Sequence, residues 1–177
     1  MKKQTKEVGT ENVMRKLKME KIVLSCGAVG PDLEKSKKLL ELLTARKAQI
    51  IRAGPKRRIP AFGVKPDLEL GTRITIRGND AKELLIRLLA AVDNTLKRSQ
   101  MSINSFSFGI KEYIEIPGIE YQREIGIKGL NVTVVFIRAG VRVKRKKIKS
   151  SPIAKKQNIT EEEIIKFMKE NFKTEIE

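Results

Sequence analysis

Strict alternation of apolar and polar residues predicts several extended strands. Between Met19 and Cys26, the apolar side chains of Ile22, Leu24 and Cys26 recur at every second position, so they share one face of a strand. Similar runs predict further strands, the last of them less regular, over residues 72–77, 103–110, 131–138 and 48–52. Because the segment 131–138 is apolar on both faces, we expect it in the centre of the sheet.

Apolar residues spaced three or four apart predict helices between these strands. One helix begins at Pro31, whose missing N–H costs nothing in a first helical turn, and continues to about Thr44. Its core-facing positions are Leu33, Leu39, Leu40 and Leu43. A shorter helix is expected from a Thr10 cap to Leu17.

Two pairs of residues with the spacing of a capping box predict the starts of two later helices. Asp80 and Glu83 precede an apolar stripe that extends to Leu96. Thr160 and Glu163 precede a second stripe, formed by Ile164, Phe167 and Met168. Glycine and proline interrupt residues 53–71 repeatedly, which predicts a long loop there, and Pro117-Gly118 predicts a turn.

Positive charge is concentrated in two stretches of the chain. Residues 42–66 contain seven basic and no acidic residues, and residues 125–160 contain ten basic and no acidic residues. The chain has 38 basic and 21 acidic residues in all, so these two stretches hold the whole excess of +17. Such clustering repels itself unless a polyanion neutralises it, and it is typical of proteins that contact a phosphate backbone.

Three groups of residues are candidates for such contacts, each with a simpler alternative. On the strand 72–77, Arg73, Thr75 and Arg77 share the face opposite the apolar one, and this face contacts either phosphate or only solvent. The basic loop 53–71 either reaches an RNA, becoming ordered on binding, or stays a solvated loop. The run Lys144-Arg145-Lys146-Lys147 is either an RNA-binding arm or a nuclear targeting patch.

Composition argues against catalysis, metal binding and membrane insertion. The chain contains no His, no Trp and one Cys, so the commonest general base and metal ligand are missing. No phosphate-binding loop, dinucleotide fingerprint or nucleophile elbow is present. No apolar run has the length of a membrane span or follows the basic N-terminus as in a secretory signal. We therefore predict a non-enzymatic protein without cofactor or membrane partner, in which Cys26 is buried.

The segment of residues 105–119 reads Ser-Phe-Ser-Phe-Gly-Ile-Lys-Glu-Tyr-Ile-Glu-Ile-Pro-Gly-Ile. It resembles a signature of the large-subunit ribosomal protein family that binds 5S rRNA, protein five in the universal numbering. Three further stretches agree in order, at residues 12–24, 70–78 and 125–132. The basic segment after Arg138 and the closing helix resemble the archaeal and eukaryotic branch, and a thermophile-like composition favours the archaeal one. Ser25 and residues 45–48 depart from the family pattern.

The resemblance implies an α+β fold class, with an antiparallel sheet that carries helices on one face and RNA on the other. It implies one domain over residues 1–177, comprising the long basic loop at 53–71 and the basic extension with its helix at 139–177. It also implies a cytoplasmic location on the ribosome. The implied partners are 5S rRNA, 23S rRNA in the central protuberance, P-site tRNA and neighbouring large-subunit ribosomal proteins.

Two sets of contact residues follow from the resemblance together with the charge pattern. The expected rRNA-binding residues are Lys18, Ser25, Gly27, Arg46, Lys47, Gln49, Arg52, Arg73, Thr75, Arg77, Arg142, Lys144, Arg145, Lys146, Lys147 and Lys149. The residues expected to contact tRNA are Lys56, Arg57, Arg58, Phe62 and Lys65. The alternatives are an RNA-binding assembly or regulatory factor that acts outside the mature ribosome, and an RNA-modifying enzyme, which the missing His disfavours.

Overall fold

The computed structural model describes residues 12–177 of the chain. Six strands form one antiparallel sheet in the spatial order β2-β3-β1-β7-β6-β5. They are β1 (Lys18–Gly27), β2 (Gln49–Arg52), β3 (Glu69–Ile76), β5 (Met101–Ser102), β6 (Ser105–Ile110) and β7 (Leu130–Ile137). Strands β4 (Thr95–Leu96) and β8 (Glu175–Ile176) pair in parallel beside it. The helices are α1 (Pro31–Thr44), α2 (Asn79–Ala90), the single turn α3 (Arg142–Arg145) and α4 (Glu161–Phe172).

One face of the sheet is buried under the three longer helices. Ile22, Leu24 and Cys26 of β1 lie on this inner face, as their alternation predicts. They form a continuous core with the predicted leucines of α1 and with the apolar faces of α2 and α4. Strand β7 lies between β1 and β6, which confirms its expected central position. The α+β fold class is confirmed.

An aromatic cluster joins the sheet to α4. The ring centroids of Phe106 and Phe136 are 5.8 Å apart, and those of Phe106 and Phe108 are 6.0 Å apart. Phe167 on α4 meets Phe136 edge-on at 5.5 Å. Because Phe106 and Phe136 are each 1% exposed, this cluster is part of the core rather than a surface for stacking RNA bases.

The second helix differs from its prediction at both ends. It follows Gly78, whose φ of 82° belongs to the left-handed region, and no side chain caps it. The Asp80–Glu83 capping box was therefore wrong, and the Asp80 carboxylate instead accepts a hydrogen bond from Arg46. The helix ends at Ala90, so Leu96 lies on β4 and not on the helical stripe. By contrast, the Thr160–Glu163 box is present, with the Thr160 N–H donating to the Glu163 carboxylate at 3.2 Å.

Three other boundaries also need correction. Strand β3 begins at Glu69 rather than residue 72, because its pairing with β2 continues to Arg52, so the loop covers residues 53–68. Residues 103–104 form the turn of the β5–β6 hairpin, in which Asn104 has a φ of 64°. Thr10 lies outside the described residues, and the short helix is seen there only as one turn at Val13–Arg15. No helix among residues 12–177 is long and apolar enough to cross a bilayer.

Candidate nucleic-acid interface

The outer face of the sheet carries two transverse rows of polar side chains. Strand pairing aligns the first row as Gln49, Arg73, Ser25, Asn131 and Gly109. The second row consists of Thr75, Val23, Thr133 and Ser107. All of these residues are exposed or half-buried. The predicted residues Ser25, Gln49, Arg73 and Thr75 therefore share one surface.

Charge is distributed unequally over this outer face. The exposed Arg73 stands between Gln49 and Ser25, with its guanidinium 3.5 Å from the Gln49 side-chain oxygen. On β6 and β7 the corresponding positions are uncharged, and Ser25, Ser107, Asn131 and Thr133 line a shallow depression. Their side chains make no hydrogen bond to any residue from 12 to 177. One half of the face can therefore attract phosphate, while the other offers free hydroxyl and amide groups.

The two ends of the sheet separate the predicted contact residues. Strand directions bring Lys18, Arg46, Lys47 and Arg77 to one end, together with the chain that leaves β7. We call this the Arg77 end. Gly27, Arg52 and the loop 53–68 lie at the opposite end. Gly71 faces Gly27 there, where a Cβ on Gly71 would come within 2.5 Å of the Cys26 carbonyl oxygen.

The long loop has a defined tip. Ile59 and Val64 exchange two backbone hydrogen bonds of 3.0 and 3.1 Å around a turn at Pro60–Phe62. The expectation that residues 56–65 become ordered only on binding was therefore wrong for this part. Phe62 is 82% exposed at the tip, and the basic residues of the loop, none of which forms an ion pair with a described residue, are Lys56, Arg57, Arg58 and Lys65.

The basic segment after β7 is exposed and attached to the Arg77 end. It comprises residues 142–149, of which Arg142–Arg145 form α3. Arg145 binds both carboxylate oxygens of Glu20, one of them at 2.8 Å. The hydrogen bond from Arg145, assisted by the nearby charges of Lys21 and Arg77, lowers the pKa of Glu20 below its usual value. Glu20 thus places the basic segment near Arg77.

Several cations of the two acid-free stretches have partners from elsewhere in the chain. The ion pairs are Arg46–Asp80, Arg52–Glu69, Lys128–Asp32, Arg138–Glu163 and Arg145–Glu20. The inference that the chain itself leaves all seventeen uncompensated was therefore wrong. Arg138 is buried and belongs to the core side of the fold. The cations that remain without a described acidic partner lie mainly in the loop 53–68 and the basic segment 142–149.

The sulfur and carboxylate chemistry of the described residues is structural. Burial raises the pKa of the Cys26 thiol to about 11, and its sulfur lies 3.5 Å from the Gly129 carbonyl oxygen. The predicted burial of Cys26 is confirmed. No cluster of potential metal ligands exists among residues 12–177.

Sequence reasoning missed part of the outer face. Asn131, Thr133 and Ser107 were not among the predicted contact residues, although the alternation that buries Val132, Val134 and Phe106 turns them outward. Their signal was the register between strands, which aligns them with Ser25 and Val23. That register is a tertiary property.

Comparison with known proteins defines the class of this chain. A sequence model of the ribosomal uL5 family C-terminus matches residues 69–170. The large ribosomal subunit protein uL5 of Nanoarchaeum equitans is 38% identical, over 94% of this chain and 99% of its own length. The uL5 proteins of Sulfurisphaera tokodaii and Archaeoglobus fulgidus are 39% and 36% identical, over 96% and 92% of this chain and 97% and 92% of their own lengths.

These matches identify a structural ribosomal protein of the archaeal type, not an enzyme. The chain belongs to the ribosomal uL5 family of large-subunit proteins. The resemblance drawn from residues 105–119 and the prediction of a non-enzymatic protein are both confirmed.

Proposed function

We propose that this protein is a structural constituent of the large ribosomal subunit that binds 5S rRNA with the outer face of its sheet. In this proposal the Arg77 end and the basic segment 142–149 also contact neighbouring 23S rRNA in the central protuberance. The loop 53–68 reaches P-site tRNA. The protein acts in the cytoplasm as one domain, beside other large-subunit proteins.

The observation that carries this proposal is the uncovered outer face of a sheet whose inner face is fully packed. Residues of β1, β3 and β7 that alternate with the core present Arg73, Ser25 and Asn131 in one row. Because the strands hold these side chains in place, they lose little conformational freedom on contact with RNA. A rigid polar surface with cations at one end is suited to an RNA shape rather than to free solvent alone.

The two halves of the face favour different contacts. Arg73 and Arg77 are exposed on β3 and at its end, where they can neutralise phosphates. Ser107, Asn131 and Thr133 carry no charge and have free hydrogen-bonding groups, which suits ribose hydroxyls and base edges. The first half supports affinity, and the second supports discrimination between RNAs.

The loop is suited to a separate RNA contact. It lies at the end of the sheet opposite Arg77, so one RNA bound across the outer face leaves its tip free. Phe62 is exposed on a hydrogen-bonded turn between Arg58 and Lys65. An exposed aromatic ring flanked by cations can stack on a base or sugar while the cations contact phosphates.

Competition between RNAs tests the 5S rRNA assignment. The purified protein is titrated into labelled 5S rRNA in the presence of excess unlabelled RNA of the same length and shuffled sequence. We expect binding of 5S rRNA to persist, because the uncharged half of the face discriminates between RNA shapes. Equal displacement by shuffled RNA and by unlabelled 5S rRNA would contradict specific recognition and leave only a general affinity for polyanions.

Neutralising the loop tests the division of labour. Lys56→Ala, Arg57→Ala and Arg58→Ala together should change the 5S rRNA affinity by less than about twofold, because these residues lie away from the outer face. Ribosomes that carry the triple variant should hold P-site tRNA less tightly, by roughly fivefold, since three phosphate contacts are lost. The measurement is the tRNA dissociation rate from purified ribosomes. A matched Lys→Ala variant at the exposed Lys82 of α2 serves as the control.

A loss of 5S rRNA binding in the triple variant, with unchanged tRNA retention, would reverse the two assignments.

A further inference from the structure

Glu20 occupies an unusual place in β1. The pairing of β1 with β7 passes from Met19–Phe136 directly to Lys21–Val135, so Glu20 is the extra residue of a β-bulge and has no partner in that register. Bulges redirect a side chain away from the regular alternation. The Glu20 side chain is 8% exposed, although it carries a charge. A charge this buried requires a partner.

Arg145 supplies that partner from a distant part of the sequence. Its two terminal nitrogens donate to the two carboxylate oxygens of Glu20, a bidentate geometry that fixes orientation as well as distance. Arg145 itself remains half exposed. Both of its terminal nitrogens therefore serve Glu20, and they are not free for phosphate while this pair is intact.

The Glu20 contact is the one hydrogen bond or ion pair that connects residues 141–153 with the rest of the described chain apart from the turn at Gly140. The base of this segment is held separately, by the Gln157 amide donating to the Ala139 carbonyl oxygen at 2.8 Å. Within it, the Ser151 N–H donates to the Val143 carbonyl oxygen at 3.4 Å. The segment is thus a closed loop pinned at its base and, at α3, to Glu20.

We infer that Glu20 is a positioning residue, which holds the basic segment 142–149 beside Arg77 so that its free lysines extend the positive surface of the Arg77 end. The inference rests on the proposed RNA-binding function and assigns a role within it. Lys144, Lys146, Lys147 and Lys149 are all exposed and without an acidic partner among the described residues. An acidic residue would thereby promote the binding of a polyanion.

The sign of this effect separates positioning from simple electrostatics. If Glu20 acted only through its charge, Glu20→Gln would strengthen RNA binding, since it removes a negative charge near Lys21 and Arg77 and releases Arg145. If Glu20 positions the segment, the same change weakens binding, because the lysines lose their fixed location and must be ordered at the moment of contact.

A double-mutant cycle on 5S rRNA binding tests the inference. Glu20→Gln and Arg145→Gln should each weaken binding by about three- to tenfold, and the double variant should be no weaker than Arg145→Gln alone, because both changes break the same contact. The control is Glu170→Gln on α4, which also removes one exposed negative charge but makes no ion pair with a described residue. It should leave the affinity unchanged or slightly higher.

A second measurement needs no RNA. In the free protein, Glu20→Gln should make cleavage by trypsin after Lys146 and Lys147 several times faster than in the wild type, while the thermal midpoint shows that the fold persists. Tighter RNA binding by Glu20→Gln, or effects of opposite sign for the two single variants, would overturn the positioning role. If the wild type itself failed to bind 5S rRNA, the proposed function would fall instead.

Discussion

Replacing Phe106 by alanine is expected to destabilise the fold by about 3–5 kcal/mol, the usual cost of removing a buried phenyl ring. Phe106 is 1% exposed and lies between Phe108 and Phe136. Through Phe136 it supports the contact of the sheet with Phe167 on α4. The cavity would therefore loosen the packing of a helix as well as a strand. Equilibrium unfolding in urea measures the loss.

Phe62→Ala provides a control with the same chemical change. Phe62 is 82% exposed at the tip of the loop, so its truncation should alter the free energy of unfolding by no more than about 0.5 kcal/mol. Comparable losses for both variants would show that the aromatic cluster does not form the core described above.

Reversing the charges of Arg73 and Arg77 together is expected to reduce the affinity for 5S rRNA by about 100-fold, or about 2.7 kcal/mol. Each substitution by glutamate removes a phosphate contact and adds repulsion. Both side chains are exposed, and the only hydrogen bond of either within the described chain is the 3.5 Å contact of Arg73 with Gln49. The fold should therefore persist, as circular dichroism can verify while a filter-binding titration gives the affinity.

The matched control reverses two arginines away from the outer face, with Arg87→Glu and Arg123→Glu. Arg87 lies on α2, in the helical layer, and Arg123 adjoins Glu124, which forms an ion pair with Lys38 of α1. This variant has the same net charge as the test variant and should lose less than about threefold, through long-range repulsion only. Equal losses in both variants would mean that net charge, and not the outer face, determines binding.

Local pattern was sufficient for most of the fold. The alternation around Ile22 and Leu24 and the leucine spacing of α1 predict which residues are buried, because both depend on the geometry of a single element. The second helix could not be predicted as well. Its start depends on a left-handed Gly78, and its apparent capping residue, Asp80, is engaged by Arg46 from another turn.

The candidate site shows the same division. Arg73, Thr75 and Arg77 could be found from the sequence, because one strand fixes their common direction. Asn131 and Ser107 join them only through the register of three strands. The role of Glu20 was also hidden, since its partner is 125 positions away and the bulge that leaves it unpaired is defined by β7.

The most direct test of RNA binding through clustered cations is the salt dependence of 5S rRNA affinity for the wild-type protein. The account predicts that the logarithm of the association constant falls linearly with the logarithm of salt concentration, with a slope of about −0.7 to −0.9 for each neutralised phosphate. With about five phosphate contacts, the slope would be near −4. A slope close to zero would contradict the account, because the exposed cations would then take no part in holding the RNA.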